Sequence, residues 1–316
     1  NSDEVTPNNE LDDDIGMPLT PGGSAGDNMP PPPPNEARES TTHTPELVSL
    51  ADENKPVVAH MPDVYLDPEL DENWPPVDLR CYIVKSNDDL RQEMAVLQLM
   101  CLCKEIFVHV GLTDQQLFLH PYRIVGTGCS TGVVEVLTDT LSLDALKKTP
   151  DFTSLNQHFY NMYATREEMR ELEQCVLDGT MPSTEVGGTS RLAQAKQAFT
   201  ASLAAYSVFT YIFAIKDRHN GNVLLDHSGH ILHIDFGFLL GGAPGGAFSM
   251  EAAPFKLTEE MVRVMDGLES PLFGEFIKSF TTGFLALRSN SETIISALEV
   301  LSINSPFVCF AGKDRA

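Results

Sequence analysis

The order of apolar and polar residues predicts a short β-rich part followed by a mainly helical part. Residues 79–85 are rich in β-forming side chains and predict a strand. Residues 87–89 carry Asn and Asp side chains and predict the cap of a helix that follows directly. The apolar positions of this helix recur on one side and comprise Leu90, Met94, Leu97 and Cys101.

Two further strand candidates and a long amphipathic segment come next. Residues 120–125, at a proline-fixed turn, and residues 133–137 predict strands, and the glycines between them indicate a loop at 126–132. Residues 151–176 have the apolar spacing of amphipathic helix. Residues 177–190 are rich in Gly, Pro and Thr, which indicates a surface insertion.

Residues 198–215 are the one stretch long and apolar enough to suggest a membrane span. The stretch contains four Ser and Thr side chains and runs directly into the polar segment that begins at Lys216. A span at this place would leave no room for a polar site beside it. We therefore predict a buried core helix.

A hairpin and a set of helices are predicted after this core helix. Residues 222–225 and 230–234 have the pattern of short strands, and residues 226–229 have the composition of a turn. Thr258 precedes two glutamates and an apolar stripe, so it predicts a helix cap. Residues 270–302 predict at least two amphipathic helices.

Charge is distributed unevenly along the 316 residues, whose formal net charge is −24. The length leaves room for one large or two modest domains, and 42% apolar residues suffice for a core. Residues 1–78 carry 18 acidic and 2 basic side chains and 14 of the 21 prolines. This composition predicts disorder over residues 1–60. Such a tail either only solvates the chain or docks on a partner through its prolines.

The acidic balance argues against nucleic-acid binding, because phosphate neutralisation by Lys and Arg supplies most non-specific affinity. It also argues against a polybasic membrane anchor, so an enzyme acting on lipids would need a partner that brings it to the bilayer. The six cysteines include no C-x-x-C pair and indicate reduced thiols in the cytosol. The chain begins with Asn1 rather than Met, and we expect it to be a fragment.

The clearest chemistry lies in residues 215–237. Asp217 and Asn222 have the D-x-x-x-x-N spacing of kinase catalytic loops, and Asp235 opens an Asp-Phe-Gly triplet. Phosphoryl transfer needs a group that takes the hydroxyl proton and oxygen ligands for Mg²⁺. These three side chains supply such oxygens. The predicted hairpin would place Asn222 and Asp235 side by side at its open end.

The order Asp217-Arg218-His219 inverts the His-Arg-Asp of protein kinases. With the run KDRHNGN…GHILHIDFGF it resembles the phosphatidylinositol 3-/4-kinase superfamily, and most of all the type III phosphatidylinositol 4-kinases. The segment APFKLTEEMVRVMDG is similar to their beta form. The resemblance covers about residues 79–312 and implies an α+β, two-lobed protein-kinase-like fold.

The resemblance also implies a division of the chain. Residues 61–134 would form a partial N-lobe, and residues 135–316 would form a helical C-lobe that is truncated at its C-terminus. The C-lobe would carry a catalytic loop at 216–222 and an activation loop at 235–257. Residues 40–78 show no convincing strand pair for the family's phosphate loop.

The resemblance assigns roles to the catalytic segment. Asn222 and Asp235 would hold Mg²⁺, and Arg218 would be a catalytic residue. Either Asp217 or His219 would be the base toward the inositol hydroxyl. The residues alone do not choose between these two, because either pKa could be tuned to the task.

ATP would be held by a second set of residues. Lys85 would contact the phosphates and Glu93 would orient it, since a flexible ammonium without a partner does not hold one phosphate geometry. Tyr122 would lie near the nucleotide, and adenine would bond to the backbone of Glu135 and Leu137. An ordinary buried strand is the alternative for this hinge.

The implied reaction is transfer of the ATP γ-phosphate to the 4-hydroxyl of phosphatidylinositol, with ATP and Mg²⁺ as cofactors. Implied partners are phosphatidylinositol in membranes and a recruiter such as a small GTPase or calcium-sensor protein, on the cytoplasmic side of Golgi or other internal membranes. Residues 236–255 hold no Lys or Arg, which favours phosphatidylinositol over its bisphosphate. A protein Ser/Thr kinase of the same superfamily and a non-catalytic module of the same fold stay open, as does the activity of this fragment alone.

Overall fold

A computed structural model describes residues 81–242 and 253–310, all within one compact unit, Asn73–Ala316. The strands are β1 Tyr82–Ser86, β2 Ile124–Gly128, β3 Thr131–Glu135, β4 Thr140–Ser142, β5 Val223–Asp226 and β6 Ile231–His233. The helices are α1 Arg91–His109, α2 Leu143–Lys147, α3 Leu155–Tyr163, α4 Arg166–Asp178, α5 Arg191–Ile212, α6 Glu259–Val264, α7 Pro271–Ser289 and α8 Ser291–Ser302. The predicted tail, the segment searched for a phosphate loop and part of the predicted activation loop lie outside the described residues.

The first sheet has the antiparallel order β1-β3-β2. Val133 in β3 lies opposite Val84 in β1 and Val125 in β2. The predicted strand at 79–85 and the helix after it are confirmed in the described part, where β1 is followed by α1. The sheet and the many helices confirm an α+β fold.

The loop predicted at residues 126–132 is wrong, because most of it forms β2 and β3 around a turn at residues 129–130. A Cβ on Gly132 would lie 2.6 Å from Leu90 Cδ1 and 2.9 Å from the Val125 carbonyl oxygen. The glycine therefore allows the sheet to approach α1 closely. Residues 120–123, predicted as strand, are irregular.

The predicted cap at residues 87–89 is also different in the structure. The N-cap position of α1 is Leu90, which makes no side-chain cap hydrogen bond. Asp89 accepts from the Arg91 backbone N–H at 3.1 Å and pairs with its guanidinium. Cys101, predicted on the apolar side, is exposed.

The segment predicted as helical at 151–176 contains two helices, α3 and α4. They are separated because Thr165 caps α4 in a capping box, in which Thr165 and Glu168 satisfy each other's backbone N–H groups. Gly179 ends α4 with a left-handed backbone at φ +67°. The following residues up to Ser190, the N-cap of α5, form the predicted surface insertion.

Helix α5 is the buried core helix that residues 198–215 predicted. Three of its hydroxyls donate inside the helix: Thr200 to Lys196 O at 2.7 Å, Ser202 to Ala198 O at 2.8 Å and Thr210 to Tyr206 O at 2.8 Å. Such back-bonding lets these side chains lie in the core without unpaired donors. Across residues 81–242 and 253–310, no helix is long and apolar enough to cross a bilayer.

An ion pair lies wholly inside the helical part. Lys196 Nζ of α5 lies 2.5 Å from Asp266 Oδ1, and both side chains are 0% exposed. The ammonium also lies 3.3 Å from Tyr160 Oη, and Asp266 Oδ2 accepts from the Thr184 backbone N–H at 2.9 Å. Burial lowers the pKa of Lys196, and the charge of Asp266 opposes this effect. The pair therefore joins α5, the end of α6 and the surface insertion.

The second sheet has the antiparallel order β4-β5-β6, and Val223 lies opposite His233. Strands β5 and β6 confirm the predicted hairpin. Thr258 caps α6 as predicted, with its Oγ1 accepting from the Met261 N–H at 3.3 Å. Helices α7 and α8 confirm the prediction for residues 270–302, and α7 packs against α5.

Candidate active site

The predicted catalytic loop, residues 216–222, connects the end of α5 to β5. Asp217 takes a left-handed backbone at φ +66°, an unfavourable conformation for a residue with a Cβ. Its carbonyl oxygen accepts from Asn222 Nδ2 at 3.0 Å, and its carboxylate Oδ2 lies 3.5 Å from the same nitrogen. These contacts join the two ends of the loop, because Asn222 lies five residues after Asp217.

The hairpin brings Asn222 and Asp235 together, as the sequence predicted. The Ile234 N–H donates to the Asn222 carbonyl at 3.1 Å, so the pairing of β5 and β6 continues one step beyond the strands. Asp235 follows at once, is exposed, and has φ +59°. One buried amide side chain and one exposed carboxylate thus lie at the open end of the hairpin.

These two side chains fit Mg²⁺ as ligands. Because Asn222 Nδ2 donates to the Asp217 carbonyl, the amide oxygen is left as its ligating atom. Within the described ranges, no three or more His, Cys, Asp and Glu side chains form a metal site by themselves. Mg²⁺ in phosphoryl-transfer sites is usually held by one or two protein oxygens together with phosphates.

His219 lies beside Asp217 but is more exposed. Its Nδ1 accepts from the Gly221 backbone N–H at 3.0 Å, and its Nε2 lies 3.9 Å from Asp217 Oδ2. A Cβ on Gly221 would approach the His219 ring to 2.9 Å, so the glycine lets the ring lie over the backbone. A neutral ring that accepts at Nδ1 carries its proton on Nε2.

Arg218 is buried and binds backbone carbonyls. Nε donates to Lys216 O at 3.0 Å, Nη1 donates to Ile234 O at 2.8 Å, and Nη2 donates to Asp235 O. The guanidinium also lies 5.3 Å from the centroid of the Phe236 ring. Arg218 therefore connects the catalytic loop to the segment that carries Asp235, an arrangement that suits a positioning residue.

Tyr122 connects the Asp235 backbone to Glu93. Its hydroxyl accepts from the Asp235 N–H at 3.3 Å and donates to Glu93 Oε1. Burial raises the pKa of Glu93, and the Tyr122 hydroxyl and Lys85 oppose this effect. Burial also raises the pKa of Tyr122, as does the neighbouring Glu93 charge, so its hydroxyl keeps its proton as the donor.

Lys85 stands at the end of β1 with Asp88 as its ion-pair partner. The Nζ to Oδ2 distance is 3.1 Å, and the side chains are 36% and 49% exposed. Burial alone would lower the pKa of Lys85, but the hydrogen bond to Asp88 and nearby acidic charges raise it above its ordinary value. Those charges include Glu93 and Asp235, so the structure brings the predicted ATP and metal residues into one electrostatic neighbourhood.

The predicted hinge follows β3. The Glu135 N–H donates to Arg123 O at 2.8 Å, and its carboxylate accepts from the Arg123 N–H at 2.9 Å. The Leu137 carbonyl accepts from Thr140 Oγ1 at 2.7 Å. Over residues 81–242 and 253–310, the Leu137 N–H makes no backbone hydrogen bond. Of the two residues, Leu137 is therefore the one whose backbone N–H has no backbone acceptor in the described part of the chain.

Gln92 is a site residue that the sequence did not indicate. It lies next to Glu93 on the first turn of α1, and its Nε2 donates to Gly237 O at 2.6 Å. Phe236 O lies 3.3 Å from the same nitrogen. Gln92 lies 144 and 145 residues from these carbonyls, and nothing in the local pattern distinguishes it from Gln98 on the same helix.

Comparisons with known proteins identify the family of this chain. Residues 81–311 match the family model described as phosphatidylinositol 3- and 4-kinase. The chain is 41% identical over 241 residues to a phosphatidylinositol 4-kinase of Dictyostelium discoideum, covering 76% of this chain and 18% of that protein. It is 40% identical over 248 residues to phosphatidylinositol 4-kinase beta 2 of Arabidopsis thaliana, covering 77% and 20%.

A yeast relative is more distant. Phosphatidylinositol 4-kinase PIK1 of Saccharomyces cerevisiae is 32% identical over 258 residues, covering 77% of this chain and 22% of that protein. The chain thus spans about a fifth of the length of these curated relatives. Since the family model covers most of the chain, the chain belongs to the phosphatidylinositol 3- and 4-kinase family.

Proposed function

We propose that this chain is the catalytic core of a lipid kinase that transfers the γ-phosphate of ATP to the 4-hydroxyl of phosphatidylinositol, giving phosphatidylinositol 4-phosphate. The observation that carries the proposal is the convergence of Asp217, Asn222 and Asp235 at one end of the β5–β6 hairpin. Position 4 of the inositol ring rests on the names of the relatives.

Each side chain of the site has a separate role in phosphoryl transfer. Lys85 contacts an ATP phosphate, exchanging its half-exposed partner Asp88 for the nucleotide, and Glu93 supplies the negative charge that keeps it oriented. Asn222 and Asp235 would hold Mg²⁺, which would neutralise charge that develops on the phosphates. Arg218 and Tyr122 keep the Asp235 backbone in place from opposite sides.

The hydrogen bonds support Asp217 as the base. His219 accepts from Gly221 at Nδ1 and so carries a proton on Nε2, which makes it a donor in this arrangement. The Asp217 carboxylate is held over the loop by Asn222 and can accept the inositol hydroxyl proton. His219 then donates toward Asp217 or a substrate oxygen.

The charges support phosphatidylinositol rather than a phosphorylated head group. Each phosphomonoester adds about −1.5 to −2 charges near neutral pH and calls for Arg or Lys partners. Residues 236–255 contain neither. The flanking Lys216 and Lys256 donate to the backbone carbonyls of Ala253 and Arg218 at 2.8 Å. These contacts support a role in holding the loop ends.

Recruitment to membranes is part of the proposal. The net charge of −24 disfavours direct attraction to anionic lipids, so a protein recruiter, such as a small GTPase or a calcium-sensor protein, would bring the enzyme to Golgi or other internal membranes. The need for a recruiter can be tested by measuring how much protein binds to phosphatidylinositol liposomes with and without a candidate recruiter. Equal binding in both cases would contradict the need for a recruiter.

Transfer of radiolabel from ATP tests the function directly. The intact protein is given phosphatidylinositol vesicles in one arm and a peptide pool in the other. We expect label in the lipid only, and a loss of roughly 10²–10³-fold in Asp235→Asn, the usual scale for one preorganised electrostatic group. Label in peptides instead would identify a protein kinase of this family.

A second experiment tests the base. The rate should rise with pH through the pKa of the base, and His219→Gln should keep this acidic limb if Asp217 is the base. Asp217→Asn should lower kcat by about 10²–10⁴ and remove the limb. Loss of the limb in His219→Gln alone would assign the base to His219.

A further inference from the structure

The Asp-Phe-Gly segment is fixed at each of its three residues by a side chain from elsewhere in the chain. Tyr122 accepts from the Asp235 N–H, and Gln92 donates to the carbonyl oxygens of Phe236 and Gly237. Arg218 donates to the Asp235 carbonyl. Among these side chains, all within the described residues, only Gln92 belongs to α1.

The segment needs such contacts because its backbone is irregular. Strand β6 ends at His233, and Asp235 takes φ +59°, which costs free energy in a residue with a Cβ. A residue in this conformation keeps it only when its surroundings hold it. The buried Phe236 ring holds one side of the segment, but Asp235 and Gly237 are exposed.

The chemistry of Gln92 suits this position. Its amide nitrogen is a neutral donor, so it satisfies two carbonyl oxygens without placing a positive charge beside the ligands of a cation. A Lys or Arg would add such a charge, and a Glu would turn an acceptor and a second negative charge toward the carbonyls and Glu93.

From these contacts we propose that Gln92 is a positioning residue for Asp235. It couples the start of α1, which carries Glu93, to the backbone that aims the metal-binding carboxylate, and it acts through that backbone because its contacts are with carbonyl oxygens. The proposal rests on the proposed function for the role of Asp235. The fixing of the segment itself can be measured without any substrate.

The decisive variant is Gln92→Met, which keeps the length of the side chain and removes the donor. Gln98→Met is the matched control, because Gln98 is exposed on the same helix. In the intact protein without ligands, hydrogen exchange of residues 231–242 should be about 3- to 10-fold faster in Gln92→Met, from the loss of one or two hydrogen bonds. Gln98→Met should exchange like wild type.

A second readout reports on the metal. In Gln92→Met the Mg²⁺ concentration for half-maximal activity should rise about 3- to 10-fold, with the KM for phosphatidylinositol unchanged. The rise in melting temperature produced by Mg²⁺ and ADP should shrink in parallel, and this measurement needs no lipid. Gln92→Asn keeps the amide but shortens the side chain, so it should give a smaller effect. It replaces Gln92→Met in both measurements if the Met variant does not fold.

The outcomes separate the two proposals. If wild type fails to phosphorylate phosphatidylinositol but Gln92→Met still accelerates exchange and weakens the Mg²⁺–ADP effect, the proposed lipid substrate is wrong and the role of Gln92 stands. If exchange and the Mg²⁺–ADP effect match those of Gln98→Met, the role of Gln92 is refuted, whatever the lipid result.

Discussion

Lys85 and Lys196 each form an ion pair, but the two pairs lie in opposite environments. Lys85 pairs with Asp88 at 3.1 Å while both side chains remain partly exposed, and its pKa is raised. Lys196 pairs with Asp266 at 2.5 Å with both side chains sealed from solvent, and burial lowers its pKa. The first pair lies at the candidate active site, and the second lies within the helical part.

The difference shows which pair can take part in chemistry. A cation that must exchange its partner for a phosphate has to be reachable from water, and Lys85 is. The Lys196 pair could be opened only by exposing a core, so it serves the fold. Breaking a buried pair leaves an uncompensated charge, whereas an exposed pair contributes little to stability. Replacing each lysine by Met should therefore have different effects. Lys196→Met should lower stability, and Lys85→Met should lower activity.

The largest effect is expected for Lys196→Met, which leaves Asp266 buried without its counter-charge. We expect the free energy of unfolding to fall by about 3–5 kcal/mol, as measured by urea denaturation of the intact protein. Lys148→Met is the control, because Lys148 pairs with Asp144 on the surface and such pairs contribute about 0–1 kcal/mol.

The double substitution Lys196→Met with Asp266→Leu sharpens this result. Removing both charges should recover about 1–4 kcal/mol relative to Lys196→Met alone. The recovery should be incomplete, because the Thr184 N–H loses its acceptor. A double variant no more stable than the single one would mean that packing around the lysine stem, and not the charge, dominates.

Lys85→Met should lower activity and leave stability nearly unchanged. We expect kcat/KM for ATP to fall by about 10²–10³-fold, while the free energy of unfolding changes by no more than about 1 kcal/mol. Lys104→Met is the matched control, since Lys104 of α1 pairs with Asp114 at similar exposure and is not among the residues assigned to the site. Activity within threefold of wild type in Lys85→Met would remove Lys85 from the nucleotide site.

The smallest effect concerns acid stability. His233 is 3% exposed and stacks on Tyr206, and its ring Nδ1 has no hydrogen-bond partner among the described residues. Burial holds its pKa well below the usual value, and nearby Arg218 and Lys256 act in the same direction.

The folded state therefore binds this proton less readily than the unfolded state, whose histidines titrate near pH 6.5. Stability is then lost as the pH falls below that value. Between pH 6.5 and 5 the protein should lose about 1.5 kcal/mol more than His233→Phe, which keeps the ring but cannot titrate. Parallel stability curves for the two proteins would show that His233 does not carry this dependence.

The sequence was informative where local chemistry fixes the structure. The β5–β6 hairpin follows from its alternation and turn residues, and the position of Asn222 and Asp235 at its open end follows from the hairpin. The core helix α5 follows from its length and apolar content. In each case the residues that decide the element lie within the element itself, so pattern and structure agree.

The sequence was misleading where distant contacts decide. Gly132 indicated a loop, but its lack of a Cβ serves contact with Leu90 of a different element. The resemblance named Arg218 as a catalytic residue but did not indicate its hydrogen bonds to the carbonyls of residues 216, 234 and 235. Gln92 carried no signal because its partners lie 144 and 145 residues away. The break before α4, in contrast, had a local signal in the Thr165-x-x-Glu168 capping box.

The contacts of the hairpin also bear on the order in which the chain folds. Ile231 of β6 bonds Ser202 of α5 across 29 residues, whereas Tyr122 reaches Asp235 across 113 residues. Short-range contacts close with less loss of chain entropy, so they form sooner. We expect α5 and the hairpin to fold as one early unit and the segment that carries Tyr122 to dock on it later. Pulse-labelling hydrogen exchange during refolding should then protect the Ile231 amide before the Asp235 amide, and simultaneous protection would contradict this order.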